Sequence, residues 1–397
     1  MAAEPTVLAG PTHAGAGIRR TALLGLTLYS LGHFFVGLYS AALGVFQPLL
    51  ISKLHFSLAE AGVLGGLLSF SSSVTQPAWG YLADRFHTRL FSALGPAVAG
   101  LFIASLGWAP SYWMVAAMVA LGGAGIASFH PQASSRATVG LENRTRWMSV
   151  FISAGTLGVA CGPVYFSLLF QTLGLKGAAA GSLPSVLVTV LLLFLLADSA
   201  PQSAVRKSRF DWHPLASVWR PLTILYVLVF IRSVIQISFV QFLVLFLHRE
   251  RGMPLGAASL ALSAYVAAGA LGGLAGGNLS ERFGGKRIIQ ISMIGCVPFL
   301  ILFYATQGPL SIVALALGGL MLLFTIPVNV VMAQELAPSQ AGTVSALMMG
   351  FAWGMAGLIF IPLTGWIADH FTLQTALSGQ LVLPLFGFVL TFWLRDP

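Results

Sequence analysis

The sequence predicts an all-α membrane protein whose twelve transmembrane helices form two pseudo-symmetric six-helix halves. Three observations carry that prediction. Apolar residues make up 57% of the 397-residue chain and charged residues only 8%, and the mean hydropathy is +0.88. A soluble fold of this length has too little interior to hide so much apolar surface, so the bilayer must serve as its solvent. The apolar residues fall into twelve segments, and the two halves of the chain repeat a charged motif at a fixed offset.

A span needs about 20 residues of helix. Segments of that order run near 21–50, 58–82, 90–109, 112–135, 147–172 and 178–197, then near 221–247, 257–280, 288–306, 309–333, 342–367 and 373–394. Residues 1–20 end in Arg19 and Arg20 and lead into an apolar run longer than a signal-peptide core, so a short cytoplasmic tail is predicted. The longest polar stretch, "DSAPQSAVRKSRFDWHPLASVWR" at 198–220, reads as a cytoplasmic linker between a 21–197 half and a 221–397 half. An even number of spans puts both termini on one side. With the N-terminus inside, fifteen of the twenty Lys and Arg residues fall on cytoplasmic segments, and Lys53, Lys176, Arg249 and Arg251 fall outside. This positive-inside bias predicts a multi-pass protein of the cell inner membrane with both termini in the cytoplasm. It also accounts for the net charge of +9 without nucleic acid. The twentieth basic residue, Arg232, belongs to neither side.

Shifting the chain by 197 residues lays "GYLADRF" (80–86) on "GNLSERF" (277–283). Gly80 meets Gly277, Asp84 meets Glu281, Arg85 meets Arg282, and Arg89 meets Lys286. Each copy ends the second helix of its half. Two parallel six-helix repeats are the signature of a transporter that rocks around a central site. In this reading Gly80 and Gly277 allow a sharp helix exit. The paired charges form a gate that binds a neighbouring helix end in one conformation and releases it in another.

"GYLADRFHTR" resembles the loop motif of the major facilitator superfamily. "GH" at 32–33, "TQPAWGYLADR" at 75–85, "FHPQASSRA" at 129–137, "AQELAP" at 333–338 and "GFAWGMAG" at 350–357 resemble its fosmidomycin-resistance type. The resemblance implies the major facilitator fold, with helices 1, 4, 7 and 10 lining a central cavity. It also implies antibiotic efflux by proton antiport. It further implies an acid shortly after the histidine of helix 1 and another directly after His-Pro in helix 4, where this chain has Gly37 and Gln132. In helix 5 "GTLGVACGP" resembles the antiporter motif of drug exporters, with Gly158, Gly162 and Pro163 as the helix pivot, although "VYFS" follows where a glycine pair is usual. Small residues there let helices approach closely and pivot.

All eleven acids fall in tails, loops or helix ends. Three ionisable residues remain deep in the spans. Arg232 lies 12 residues beyond Arg220, His33 lies 13 beyond Arg20, and His130 lies six before Arg136. A mid-membrane arginine costs about 2.5–3.5 kcal/mol and must meet water, a polar partner or a ligand. Arg232 is therefore the candidate anchor for a carboxylate, phosphonate or phosphate, with Gln236 one turn along the same face. His33, His130, Asn329 and Tyr265 complete the candidate substrate site. Either histidine is a candidate proton carrier in place of the missing acids, or a packing residue. Trp353, Trp366 and Phe239 are further aromatic candidates. Cys161 and Cys296 sit alone in apolar runs and suit packing.

These residues point to a monomeric secondary transporter that moves a small organic anion outward, and proton antiport is the drive that the resemblance implies. Uptake by proton symport, anion exchange and facilitated diffusion remain compatible with the same cavity. No catalytic set, metal site or cofactor is predicted. A membrane enzyme or a passive channel would give the repeat no purpose.

Overall fold

The computed structural model of the chain describes residues 13–86, 88–142, 144–195 and 213–394, apart from the side chains at 13–19, 84, 145, 213 and 214. The tail 1–12, Arg206, Lys207 and Arg209 of the linker, Arg395, and the Arg19 and Asp84 side chains lie outside the described residues. All regular structure among the described residues is helical, in twelve spans. In the first half these are α1 (13–54), α2 (58–86), α3 Leu90–Trp108, α4 Tyr112–Arg136, α5 (144–173) and α6 (178–195). In the second half they are α7 Trp219–Arg249, α8 Leu255–Phe283, α9 Gly285–Ala305, α10 Gly308–Leu336, α11 Pro338–His370 and α12 Leu373–Trp393. The first helix begins at His13, inside the predicted tail.

Local chemistry sets the boundaries. His55, at φ 55°, ends α1, and a reciprocal capping box starts α2: the Ser57 hydroxyl accepts from Glu60 N at 3.1 Å, and the Glu60 carboxylate accepts from Ser57 N at 2.8 Å. Gly174, at φ 72°, separates α5 from α6.

The halves meet at the end of the molecule that carries the α1–α2, α7–α8 and α11–α12 loops. There α2 lies along α11. Gly62 and Gly66 admit Pro362, Gly65 admits Ile361 and the Gln241 side chain, and Gly357 admits Ser69. A Cβ at any of these glycines would collide with the facing atoms, so the close approach depends on their absence. Two hydrogen bonds clasp the same seam. The Asp369 carboxylate at the end of α11 accepts from Leu58 N and Ala59 N of α2, both at 2.8 Å. One apolar core runs from Leu26 to Leu381 through both halves, whereas a second, from Leu222 to Leu394, is confined to the second half at the opposite end. Both α2 and α11 contain a π-helical turn, at Phe70–Val74 and Ala346–Phe351, where their joint path ends. At and beyond it, Gly350 and Gly342 face open space and Gly80 faces only Pro131 of its own half. The molecule is thus clasped at one end and parted at the other.

The repeat extends to this clasped end. Lys53 Nζ donates to the Gly107 and Ala109 carbonyls at 2.9 and 2.7 Å, closing the end of α3. In the second half Arg251 donates to the Phe303, Tyr304 and Thr306 carbonyls at 2.9–3.2 Å, closing the end of α9. A cation near the C-terminus of a helix offsets its unpaired carbonyls and its dipole.

Candidate functional site

α7 carries Arg232 near its middle, with 6% of the residue exposed. Its guanidinium Nη1 donates to Gln236 Oε1 at 2.7 Å, one turn on, and Nη2 donates to Ser233 Oγ at 3.1 Å. Nε is buried without a partner, and the guanidinium carbon lies 5.9 Å from the Trp353 ring centroid. Among the described residues no carboxylate lies within ion-pair distance of it. The charge is therefore held by neutral acceptors and an aromatic face, an arrangement that leaves it uncompensated.

Arg232 and Gln236 form the polar wall of a cavity of about 150 Å³. Val229 of α7, Ile326 and Val330 of α10, and Met348, Met349 and Trp353 of α11 form the apolar wall. Every lining residue comes from the second half. Trp353 was an aromatic candidate from sequence. The methionine pair carried no such signal, because it reaches the cavity from the π turn Ala346–Phe351, and such a turn leaves no mark in hydrophobic periodicity.

Asn329 and Tyr265 do not line this cavity. Both are fully buried beside it in the second half, and neither the Asn329 amide nor the Tyr265 hydroxyl has a partner. Tyr265 stacks on Phe239, with ring centroids 5.3 Å apart, and lies within electrostatic range of Arg232. Thr325, one turn before Asn329, is likewise buried and unpartnered.

His33 and His130 meet each other instead of Arg232. Their rings pack edge-on, with centroids 5.1 Å apart. His33 Nδ1 donates to the Phe151 carbonyl of α5 and His130 Nδ1 to the Ile126 carbonyl of its own helix, each at 2.8 Å. The His33 ring also stacks on Phe151 at 4.3 Å. Each ring is thus tied to a main-chain carbonyl. Because each Nδ1 donates to a carbonyl, each Nε2 remains as the acceptor of the neutral ring.

The structure explains the two missing acids. Gly37 lies against the Gly155 carbonyl of α5, in the space a Cβ would need. Gly158 and Gly162 lie in the same way against the Phe34 and Leu38 carbonyls, so the predicted pivot is the seam between α1 and α5, with Pro163 inside α5. Gln132 is buried and works in both directions: its Oε1 accepts from Ser92 N at 3.1 Å, and its Nε2 donates to the Thr88 carbonyl. A carboxylate there could not make the second bond.

The duplicated motif sits where expected, at the ends of α2 and α8. Its glycines serve differently from the expectation, however. Gly80 and Gly277 are within the helices, where a Cβ would meet a proline of the adjoining span, Pro131 of α4 at 3.5 Å or Pro327 of α10 at 3.4 Å, in ordinary contact. They stand in helix interiors and not at a helix exit. Arg85 donates to the Tyr81 hydroxyl at 3.3 Å and Arg89 to the Leu193 carbonyl of α6 at 2.9 Å, while Glu281 and Arg282 are exposed. Among the described residues no group of three or more His, Cys, Asp or Glu side chains could hold a metal ion.

Comparison with known proteins agrees with this architecture. A family model described as Major Facilitator Superfamily matches residues 29–357 and 225–397. The fosmidomycin resistance protein of Escherichia coli (strain K12) is 29% identical over 412 residues, covering 100% of this chain and 98% of its own. An uncharacterized MFS-type transporter of Bacillus subtilis (strain 168), YfnC, is 28% identical and covers 93% of this chain and 92% of its own. Among solved structures, a bacterial homolog of the human lysosomal transporter Spinster, inward-facing and occupied, superposes with a TM-score of 0.77 at 13% identity, covering 97% of each chain. The nucleoside transporter NupG does so with 0.73 at 16% identity, covering 94% of this chain and 98% of its own. With twelve membrane-spanning helices in two repeated halves and a family match along most of its length, the chain belongs to the major facilitator superfamily.

Proposed function

We propose that the protein exports a small organic anion across the cell inner membrane by alternating access, with Arg232 as the anchor and proton antiport as the drive. The observation that carries this reading is the uncompensated guanidinium of Arg232 on the wall of a cavity. A cation so deep in the bilayer is stabilised most by a ligand of opposite charge. The full-length likeness to a fosmidomycin resistance protein supports export, since removing a toxic compound from the cell confers resistance.

The positive-inside count assigns the clasped end, with Lys53 and Arg251, to the outside. The parted end then faces the cytoplasm, where a substrate for export is collected. The exposed charges at Arg85, Glu281 and Arg282 belong to that open inner end, in the released state of the proposed gate. On the other side of the path, the His33–His130 pair is the proposed proton site. Two cationic rings 5.1 Å apart repel each other, so the pair carries one proton at a time.

The test is substrate counterflow in liposomes containing the purified full chain, followed by an imposed pH gradient. Export by antiport predicts that an inside-alkaline gradient, with protons entering, and an inside-acid gradient drive anion movement in opposite directions, each against the proton flow. Movement with the proton flow would instead establish symport. Absence of counterflow with every anion would refute the transport reading.

A further inference from the structure

The cavity says more about its ligand than the sign of one charge. Its polar wall consists of a single fixed cation and one neutral amide, and all the rest is aliphatic, thioether or indole. We propose that the site selects an amphipathic monoanion, an aryl or short-chain aliphatic carboxylate, over a dianionic phosphonate or phosphate. This deepens the anion-transport reading and rests on it.

The first argument is charge balance. One carboxylate matches one guanidinium, and its two oxygens suit the planar fork of an arginine. Nη1 and Nη2 are parked on Gln236 and Ser233 of the same helix, neutral acceptors that a carboxylate displaces without breaking an ion pair. A dianion would bring a second negative charge that no other lining residue among those described compensates. The His33–His130 pair does not supply the missing charge, because among the described residues none of α1–α6 lines the cavity.

The second argument is shape. Trp353 presents its ring to the guanidinium at 5.9 Å, so an aryl group bound to Arg232 meets indole on one side. Met348 and Met349, on the same helix as Trp353, are unbranched and polarizable, and adapt to different apolar bodies. The cavity of about 150 Å³ suits a compact body, a single ring or a short chain with its carboxylate.

Matched probes separate the two arguments. Binding of benzoate, phenylphosphonate, hexanoate, acetate and benzamide to the full-length protein is measured by thermal shift. The pH is alkaline enough for the phosphonate to carry both charges. The proposal predicts that benzoate binds about tenfold or more tightly than phenylphosphonate, and hexanoate likewise against acetate. Trp353→Leu should weaken benzoate several-fold and leave acetate unchanged. Phenylphosphonate binding as tightly as benzoate would overturn the monoanion selectivity and leave the anion anchor standing. Benzamide binding as tightly as benzoate would overturn the anchor itself, and so would benzoate binding unaltered in Arg232→Gln. Binding of none of these probes would also overturn the proposal. The comparison of probes on the unmodified protein needs no variant to fold.

Discussion

Replacing Asp369 with Asn should loosen the clasped end of the transporter. The carboxylate crosses between halves and accepts two backbone N–H bonds from the first turn of α2, at 2.8 Å each. Hydrogen bonds to a charged group contribute about 1.5–3 kcal/mol each, and a negative charge at a helix N-terminus adds about 0.3–1 kcal/mol. Asp369 is exposed, and solvent screening reduces such sums considerably. A net loss of about 1–2 kcal/mol is a reasonable working figure, because asparagine keeps one acceptor and turns an NH₂ toward the other amide. That loss corresponds to an increase of about 5–30-fold in the population parted at this end. The assay places a cysteine at Gln241, which packs into the slots left by Gly44 and Gly65 and is 5% exposed. In a background with Cys161→Ser, the rate of labelling by an impermeant maleimide applied from the clasped side reports opening. Asp369→Asn should raise that rate about 5–30-fold. Glu60→Gln is the control, since Glu60 caps the same helix from within its own half. Equal rates in the Asp369 variant and its parent would refute the clasp, and an equal effect of Glu60→Gln would show that only the α2 cap matters.

Three further outcomes are expected. Gly37→Asp, which supplies the acid that the resemblance implies, should lower the melting temperature or prevent folding, because the side chain has only the space held by the Gly155 carbonyl; overpacking of this kind costs about 1–3 kcal/mol. A melting temperature equal to that of the parent would contradict the tight α1–α5 seam. Gln132→Glu should destabilise by about 1–3 kcal/mol in a thermal melt, since it loses the donor to the Thr88 carbonyl; an unchanged melt would remove that tie from the account. His33→Gln should flatten the pH dependence of transport while the protein remains folded. An equally steep pH profile would dismiss His33 as the proton carrier.

Much of the fold was legible because a bilayer constrains sequence so strongly. Twelve apolar runs and the GYLADRF/GNLSERF repeat required no tertiary information. The clamps were not legible. Lys53 and Arg251 fall one residue out of the 197-residue register, and their acceptors are backbone carbonyls, which carry no side-chain signature. At the site, Arg232 with Gln236 could be read from a charge among apolar residues at helical spacing. Arg232 and His33 at comparable depth, with His130 nearer the cytoplasm, suggested one cluster. The ring of His33 instead occupies the space left by Gly155, a packing relation between distant segments that depth along a helix does not encode. Asn329 looked like a cavity residue because it is polar within an apolar span. Which face of α10 meets the cavity was decided by Ile326 and Val330, and only the packing of α7, α10 and α11 fixes that choice.

Anion transport centred on Arg232 is the claim on which the rest depends. The most direct measurement is counterflow of radiolabelled benzoate and phenylphosphonate in liposomes, comparing the parent protein with Arg232→Gln of matched melting temperature. The account predicts saturable counterflow of at least one of these anions in the parent and background flux in the variant. Equal counterflow in both proteins, or none in the parent, would contradict it.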